Sequence, residues 1–453
     1  MLPPSFIASL QGLPGFDQEA FLKVHANQDQ LTSVRLNQQK LFELEGHAFL
    51  ENKESLPWCG HAYYLNERPL FVLDPLWHVG AYYVQEASSM FLHYILEQIT
   101  PKPMALKVLD LCAAPGGKTT LLANYYQNGL VVANETIKSR NAILVENLTK
   151  WGADHVVVTQ NDPAHFKALP DFFDVLMIDA PCSGSGLFRK DPEAIAHWSE
   201  DSVQHCSTRQ ARILEDSLDC LKEGGFLIYS TCSYSLEEDE NRMDQIASMP
   251  GMKNIQLNVP AEWNIVTSYS NQQHCQGFRF YPDKVKGEGF FITVFQKEVS
   301  TSSGYYNNHA VTVPATKKEL ELLKNLFALP DNYDCIQHQN SLIALPHFFE
   351  QDFNALIHHL YIKKMGMTLG EFKGADLIPA HALAMSTWTY LPYQSLEVDE
   401  ATALQYLRRA DLNLPNGKGW HVLTYKKIRL GWAKLLPNRS NNYYPNEWRI
   451  LNY

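Results

Sequence analysis

The chain has 453 residues, of which 45% are apolar and 19% charged, and a formal net charge of −11. At roughly 150 residues per domain, that length suggests about three domains, and the composition excludes wholesale disorder. The negative charge argues at first sight against a nucleic-acid binder, because phosphate contacts need Lys and Arg.

The average hides a split. Between Ala401 and Tyr453 stand nine basic residues: Arg408, Arg409, Lys418, Lys426, Lys427, Arg429, Lys434, Arg439 and Arg449. Only Asp411 and Glu447 oppose them, so this tail carries +7 and the first 400 residues carry −18. No run of 18 apolar residues exists, which excludes a membrane-spanning helix. The opening MLPPSFIASLQGLPGF lacks the basic start and long apolar stretch of a signal peptide. The eight cysteines are scattered, with no Cys-x-x-Cys pair and no zinc-finger spacing, so no metal is expected. A reducing cytoplasm fits, where a special cysteine is reactive rather than bridged.

In chain order, a mixed region of about 95 residues comes first, with turn signals at Pro14-Gly15 and Pro57. Strand and helix signals then alternate. KVLDLCA (107–113) reads as a strand, KTTLLANYYQ (118–127) as a helix and LVVANE (130–135) as a strand. Ile137 to Trp151 is an amphipathic helix stopped by Gly152. VVVTQND (156–162) and DVLMIDAP (174–181) are further strands. A long helix over 202–221, ended by Gly224 and Gly225, precedes a strand at FLIYSTCS (226–233) and a late one at FFITVFQK (290–297). Such alternation predicts right-handed crossovers and a parallel sheet covered on both faces, an α/β class. STSSGYYNNHAVTVPATKK (300–318) reads as a linker, and ELELLKNLFALP (319–330) as a helix. HVLTY (421–425) and IRLGWAK (428–434) read as strands joined by a Lys426-Lys427 turn, in a small β-rich module with a basic surface.

CAAPGGK (112–118) follows a predicted strand and opens a predicted helix, the place where an α/β sheet binds its ligand. Cys112, Ala113, Ala114, Pro115, Gly116, Gly117 and Lys118 form this turn, and the two glycines let backbone approach a ligand closely. It is neither a P-loop nor a strict dinucleotide fingerprint. Glu135 ends the second strand, where a carboxylate would grip ribose hydroxyls; Asp162 ends the third and could take an adenine amine; Asp179 ends the fourth. A glycine turn with three carboxylates suits a nucleoside cofactor with a cationic head. Each part alone has a plainer reading: a turn, a helix cap at Asp162, a turn residue at Asp179, a solvated Glu135. Their joint placement at strand ends favours the site.

Cys182 in DAPCSGSG (179–186) and Cys232 in STCS (230–233) end neighbouring strands and should face one cavity. The other cysteines read as small buried hydrophobes, and Cys112 as a backbone contributor. Two thiols beside a nucleoside cofactor suit chemistry at carbon 5 of a pyrimidine. A thiolate adding to carbon 6 turns the ring into an enamine whose carbon 5 attacks a methyl donor; a base then removes the carbon-5 proton and the thiolate leaves. Asp179, protonated or hydrogen-bonded to ring nitrogen 3, would stabilise the adduct. Residue chemistry by itself leaves the two thiols exchangeable.

LCAAPGGKTT (111–120), ANETIKSR (133–140), DAPCSGSG (179–186) and YSTCSYSLEEDE (229–240) resemble the signature segments of the Sun-type (nucleolar-protein/Sun) RNA (cytosine-5)-methyltransferases. YYVQEASSM (82–90) and FRFYPDKVKGEGFF (278–291) resemble the flanking segments, so the resemblance spans about 34–297. LGWAKLLPNRSNNYYPNEWRI (430–450) is similar to the end of the bacterial small-subunit ribosomal RNA methyltransferase F group, which carries an extra domain and a PUA-like RNA-binding module. The resemblance implies a Rossmann-like methyltransferase sheet using S-adenosyl-L-methionine. Its domains would fall at 1–97 (accessory, RNA-binding), 98–299 (catalytic), 300–318 (linker), 319–380 (intermediate) and 381–453 (PUA-like). It implies a cytidine of 16S ribosomal RNA as substrate, free or in the assembled subunit; a monomer is expected, although the sequence itself is silent on oligomeric state. It also implies Cys232 as nucleophile, Cys182 as the residue that helps release product, and Asp179 as the acid of the fourth motif. The cofactor residues would be 112–118, Glu135 (where many members have Asp), Asp162 and Asp179.

The target base must leave its stack, at a cost of a few kcal/mol. Arg189 and Lys190, Arg35, and the basic tail with Trp420, Tyr425, Trp432, Tyr443, Tyr444 and Trp448 could meet RNA, although most of those rings read as the core of a β module. Rival readings are a transfer RNA substrate and a catalytically silent RNA-binding or ribosome-assembly factor. Paired thiols argue against the second, because a binding module has no use for them.

Overall fold

The computed structural model describes residues 2–27, 31–40, 53–101, 105–300, 304–324, 329, 332–338, 340–374, 376–386, 388 and 393–451. Strands β1 (Thr32–Leu36), β2 (Glu54–Ser55), β3 (Ala62–Leu65) and β4 (Tyr82–Val84) form a small antiparallel sheet in the order β2-β3-β1-β4.

The central sheet follows. It contains β5 (Lys107–Asp110), β6 (Leu130–Asn134), β7 (Val156–Thr159), β8 (Phe173–Asp179), β9 (Leu221–Thr231), β10 (Met252–Asn254), β11 (Val266–Tyr269), β12 (Gln276–Phe280) and β13 (Phe290–Lys297). β5, β6, β7, β8 and β9 are parallel to their neighbours in the order β7-β6-β5-β8-β9, and β13 continues antiparallel on β9. β6 and β7 are buried along their whole length, as strands covered on both faces must be. One face packs Leu92, Ile95, Leu121, Leu144 and Leu148 from three helices. The other packs Ile213, Leu214, Met243 and Phe353. The chain leaves β5 toward β6 on one side, while β8 lies on the other, so the turn after β5 sits at the topological switch point.

Two sequence expectations change. The long helix ends at Ser217, followed by a single tight turn at Leu218–Cys220, and β9 already begins at Leu221. Gly224 and Gly225 therefore lie inside a strand. They form a bulge opposite Asp174, where the β8–β9 register shifts, and a Cβ on Gly225 would stand 2.9 Å from the Asp174 carbonyl oxygen. The third strand stops at Thr159, so Asp162 lies beyond it.

Past the catalytic sheet, β14 (Val313–Pro314) lies within the expected linker and pairs with β15 (Tyr333–His338). β16 (Ser341–Pro346), β18 (Met367–Lys373) and β19 (Asp376–Pro379) complete this five-stranded sheet, whereas β17 (Ile362–Lys364) pairs with β7 and caps the open edge of the catalytic sheet. A three-residue strand carries no legible pattern, which hid it in the sequence. The helix expected at 319–330 is Lys317–Lys324; residues 325–328 and 330 lie outside the described residues.

β20 (Gln394–Glu397), β21 (Gly419–Tyr425), β22 (Ile428–Leu436) and β23 (Arg439–Asn442) form the last sheet. Lys426 and Lys427 both have positive φ, the backbone that a two-residue hairpin requires. The tail is not a free appendage. Trp432, Tyr444 and Leu383 share one core with Val34, Leu76 and Tyr82 of the amino-terminal region.

Behind the carboxyl ends of β9 and β12 lies a buried charge cluster. Arg279 is 1% exposed, and its guanidinium meets Glu240 Oε1 at 2.6 Å, Asp239 Oδ2 at 3.3 Å and the Tyr234 carbonyl at 3.0 Å. Breaking a buried pair from one side costs about 3–5 kcal/mol. Arg279→Leu should therefore lower unfolding stability by about that amount in urea denaturation, because it strands two buried carboxylates.

Candidate active site

β5 ends at Asp110, a fully buried carboxylate that sequence reading did not single out. The Thr119 hydroxyl donates to its Oδ2 at 2.6 Å, tying the strand end to the helix Gly117–Tyr125. Burial pushes the Asp110 carboxyl up to about 7, against the Thr119 bond that lowers it. Its signal in the sequence was a single acid closing an apolar strand.

Residues 112–118 arch over this point. Gly116 has φ +113°, and a Cβ there would press on Leu144 at 3.2 Å, so the position favours glycine. The carbonyls of the turn are held from outside: Ala114 by Arg140 Nη2 at 2.8 Å, Pro115 by Asn147 Nδ2 at 2.8 Å, and Gly117 by Arg35 Nη2 at 3.1 Å. The helix beyond opens with no side-chain cap, leaving its first amides to a ligand. The Cys112 thiol is pushed up by burial, in keeping with a backbone role.

The three expected cofactor acids stand in different settings, two at strand ends and Asp162 beyond one. Glu135 is 4% exposed, accepts from the Ile137 amide at 2.9 Å and has Arg140 at 3.5 Å. Asp162 caps the turn Pro163–Ala168 through the Ala164 amide at 3.1 Å and pairs with Arg212 at 3.2 Å, so the plainer cap reading describes its present contacts. Asp179 accepts from Ser230 Oγ at 2.6 Å with one oxygen and from Lys118 Nζ at 2.8 Å with the other. Burial acts to lower the Lys118 ammonium, but Asp179 and Asp110 outweigh it and hold it above its ordinary value; Cys232 adds to the same effect.

Cys182 and Cys232 are free thiols whose sulfurs lie 3.0 Å apart. The sequence expectation that both face one cavity is met in the strict sense that they touch. The hydrogen bond to Cys232, followed by burial, raises the Cys182 thiol well above its ordinary value. Either sulfur can donate its hydrogen to the other across this contact.

Glu238 fixes this contact, and sequence reading missed it inside the acidic run SLEEDE (235–240), which looks like solvated surface. It is fully buried. Its carboxylate accepts from the Ser183 amide at 2.9 Å, the Ser183 hydroxyl at 2.5 Å, the Ser233 hydroxyl at 2.5 Å and Gln210 Nε2 at 3.0 Å. Ser183 follows one thiol and Ser233 follows the other, so one carboxylate clamps both loops. Gly186 completes the clamp: its amide donates to the Cys232 carbonyl at 2.8 Å, and a Cβ there would strike the Gly289 carbonyl. The amino-terminal helices buttress the loops from outside, with Phe6 packed on Phe188 at 5.0 Å and Phe21 on Tyr234 at 5.4 Å.

Two expected phosphate contacts are corrected. The Arg189 side chain is 6% exposed and faces Glu288 at 3.7 Å; Arg35 is buried under the cofactor turn. Both had read as surface cations because sequence spacing does not reveal which loops pack over them. Lys190 is exposed. In the tail, Trp432 and Tyr444 are core, and Arg429 is engaged by the Ser386 and Trp388 carbonyls. Trp420, Tyr443 and Lys434 remain together at the surface, the rings 4.5 Å apart and the ammonium 5.1 Å from the indole.

Family models match along the chain. Residues 98–296 match 16S rRNA methyltransferase RsmB/F, residues 2–87 the N-terminal domain of 16S rRNA methyltransferase RsmF, and residues 393–450 the methyltransferase RsmF PUA domain. A ribosomal RNA small subunit methyltransferase F from Aliivibrio fischeri is 30% identical over 87% of this chain and 85% of its own. The chain belongs to the 16S rRNA methyltransferase RsmB/F family.

The relative of the same name from Vibrio cholerae is 29% identical over 98% of this chain and 97% of its own. A methyltransferase homologue from Pyrococcus horikoshii is 28% identical, with a TM-score of 0.51 over 65% of this chain and 100% of that one. NSun6 from the same organism, solved with SFG, shares the fold at 19% identity and a TM-score of 0.55 over 66% of this chain and 98% of that one. Membership makes this protein an S-adenosylmethionine-dependent methyltransferase with a carboxyl-terminal PUA domain. The glycine turn at the switch point, uncapped amides and the acids at three neighbouring strand ends suit that cofactor. No helix among the described residues is long and apolar enough to cross a membrane.

Glu238→Gln keeps the volume but turns an amide toward donors that need an acceptor. A misplacement of about 1 Å can cost about 10²-fold in rate. The expected result is a fall of about that size in single-turnover methyl transfer, with S-adenosylmethionine affinity unchanged by calorimetry.

Proposed function

We propose that this protein methylates carbon 5 of a cytidine in 16S ribosomal RNA, through a covalent adduct on Cys232. The observation that carries the reading is the thiol pair, 3.0 Å apart, at the ends of two neighbouring strands beside Asp179 and Lys118. A hydrogen-bonded Cys232 sulfur beside the Lys118 ammonium is the better placed of the two to attack as thiolate. This supports the assignment that the resemblance implied and that residue chemistry alone left open.

When bound, S-adenosylmethionine supplies an activated methyl on a sulfonium. Residues 112–118, Glu135, Asp162 and Asp179 would hold it. Arg212 would give up Asp162 if that acid takes the adenine amine. Cys232 adds to ring carbon 6 and makes carbon 5 electron-rich. Asp179, fixed by Ser230 and Lys118, can accept from the exocyclic amine of the base and orient the ring. After transfer a base removes the carbon-5 proton. Electrons then return to Cys232, whose departing sulfur receives the Cys182 S–H hydrogen bond. Eight free cysteines, two of them in unbonded contact, suit the cytoplasm as compartment.

Cys232→Ala should abolish both turnover and covalent RNA trapping on denaturing gels. Cys182→Ala should accumulate the trapped adduct. The reverse pattern would exchange the two roles. Bisulfite sequencing of ribosomal and transfer RNA, with and without the gene, should lose one 5-methylcytosine in 16S ribosomal RNA; loss in a transfer RNA would change the substrate, and no loss would favour a silent factor.

The tail shares a core with the amino-terminal sheet, so deleting residues 381–453 would damage more than RNA binding. The surface triple variant Trp420→Ala, Tyr443→Ala, Lys434→Ala is the cleaner probe. It should weaken RNA binding and flatten its salt dependence by about one unit of slope, while S-adenosylmethionine binding persists. Unchanged RNA affinity would move the contact surface elsewhere.

A further inference from the structure

Two free thiols in contact are open to oxidation as well as to catalysis. Cys182 and Cys232 follow the parallel neighbours β8 and β9. The strand ends are locked by the Ala180 amide on the Ser230 carbonyl and the Gly186 amide on the Cys232 carbonyl, both at 2.8 Å. Neighbouring strands run about 4.8 Å apart. That spacing falls within the Cα separation of roughly 4.4–6.8 Å that a disulfide needs. The sulfurs already stand 3.0 Å apart. Closing them to a bond of about 2.05 Å takes about 1 Å of travel, which a small turn about each Cα–Cβ bond supplies. Glu238 holds Ser183 and Ser233, the residues that follow each thiol, so the two sulfurs are kept facing each other.

Access separates this pair from the other cysteines. Cys182 and Cys232 are both partly exposed, whereas Cys59, Cys220, Cys275 and Cys335 are buried. Cys112 and Cys206 are also partly exposed, but burial raises both of those thiols and makes them poor nucleophiles. Cys232 lies beside the Lys118 ammonium, a setting that suits attack by its sulfur. A sulfur oxidised to sulfenic acid with no thiol at hand goes on to the irreversible sulfinic acid. Here a thiol is already in contact.

We propose that Cys182 and Cys232 form a modification site for hydrogen peroxide, which closes the pair into a reversible disulfide, so that Cys182 protects Cys232 from irreversible oxidation. The Cys232 thiolate attacks one peroxide oxygen. An S–O bond forms as the O–O bond breaks, and the departing hydroxide takes up a proton as water. The Cys182 sulfur then attacks the Cys232 sulfur. The S–S bond forms, the S–O bond breaks, and the second hydroxide leaves as water with the proton that Cys182 gives up. Two thiols together lose two electrons and two hydrogens, and the peroxide is reduced to two waters. A disulfide exposed in this way reopens by exchange with a dithiol. While it is closed, no sulfur is free to add to carbon 6 of a base. That last consequence rests on the covalent function proposed above; the oxidation itself does not.

The full chain is treated with hydrogen peroxide, quenched with N-ethylmaleimide and mapped by peptide mass spectrometry. The wild type should lose two hydrogens and yield a peptide pair joined through Cys182 and Cys232, and dithiothreitol should restore both thiols. Cys182→Ala should instead gain one and then two oxygens on Cys232, and dithiothreitol should not reverse the second. Wild-type turnover should be lost as the cross-link forms and return on reduction. If the cross-link forms and turnover survives, the oxidation site stands and the covalent role of Cys232 fails. The wild-type map decides the matter even where the variant misfolds. Oxygens gained on wild-type Cys232 without a cross-link, or a cross-link from Cys232 to Cys206, would overturn the proposal.

Discussion

Two thiols in contact without a bond between them need a frame stiff enough to keep both loops in place. Here that frame is one buried carboxylate. Glu238 satisfies donors on the loops that carry Cys182 and Cys232, and its own burial is tolerable only because all those donors are there. Its neighbours extend the logic. Asp239 accepts from the Thr231 hydroxyl at 2.6 Å, one residue before Cys232, and with Glu240 it holds the buried Arg279 from β12. Burial nonetheless keeps the Asp239 carboxyl well above the usual carboxylate range. The acidic triplet 238–240 thus connects the sulfur contact to the antiparallel edge of the sheet.

This triplet also shows where sequence reading stops. The parallel sheet was legible because hydrophobic strands alternate with helices, and the switch-point turn because glycine and proline punctuate it. Cys182 and Cys232 were legible because thiols at strand ends have few structural uses. Glu238 was not, because four acids in a row read as surface, and only the fold reveals that two serines fifty residues apart converge on one of them. Arg35 failed in the opposite direction: a lone basic residue in a polar-looking strand reads as exposed, yet β1 is buried along its full length. Gly224 and Gly225 failed for a third reason. Glycines stop helices more often than they bulge strands, and here Gly225 lies so close to the Asp174 carbonyl that a Cβ would crowd it, while Gly224 has positive φ.

The cofactor turn is held in the same indirect way. Its carbonyls receive hydrogen bonds from Arg140 and Asn147 on one helix and from Arg35 in the amino-terminal sheet. Moving that small sheet would therefore move the turn. The sheet is in turn joined to the tail module through a common core, and Lys150, at the end of the helix carrying Arg140 and Asn147, lies 5.4 Å from the Trp448 ring. A module that touches RNA at Trp420, Tyr443 and Lys434 would be mechanically continuous with the residues that shape the cofactor site.

That continuity gives the charge split a physical sense. Pulling a base from its stack costs a few kcal/mol, and contacts elsewhere must offset it. A tethered, freely moving basic tail would supply attraction but little orientation, because each encounter would still have to order the linker. A tail fixed in a shared core supplies both. The acidic body then contributes in its own way: like charge along the catalytic domain disfavours RNA lying across it at random, and leaves the basic face as the favoured approach. Net charge alone pointed away from RNA. Its distribution, with the basic tail joined to the amino-terminal sheet by a common core, points toward one orientation of RNA relative to Cys232.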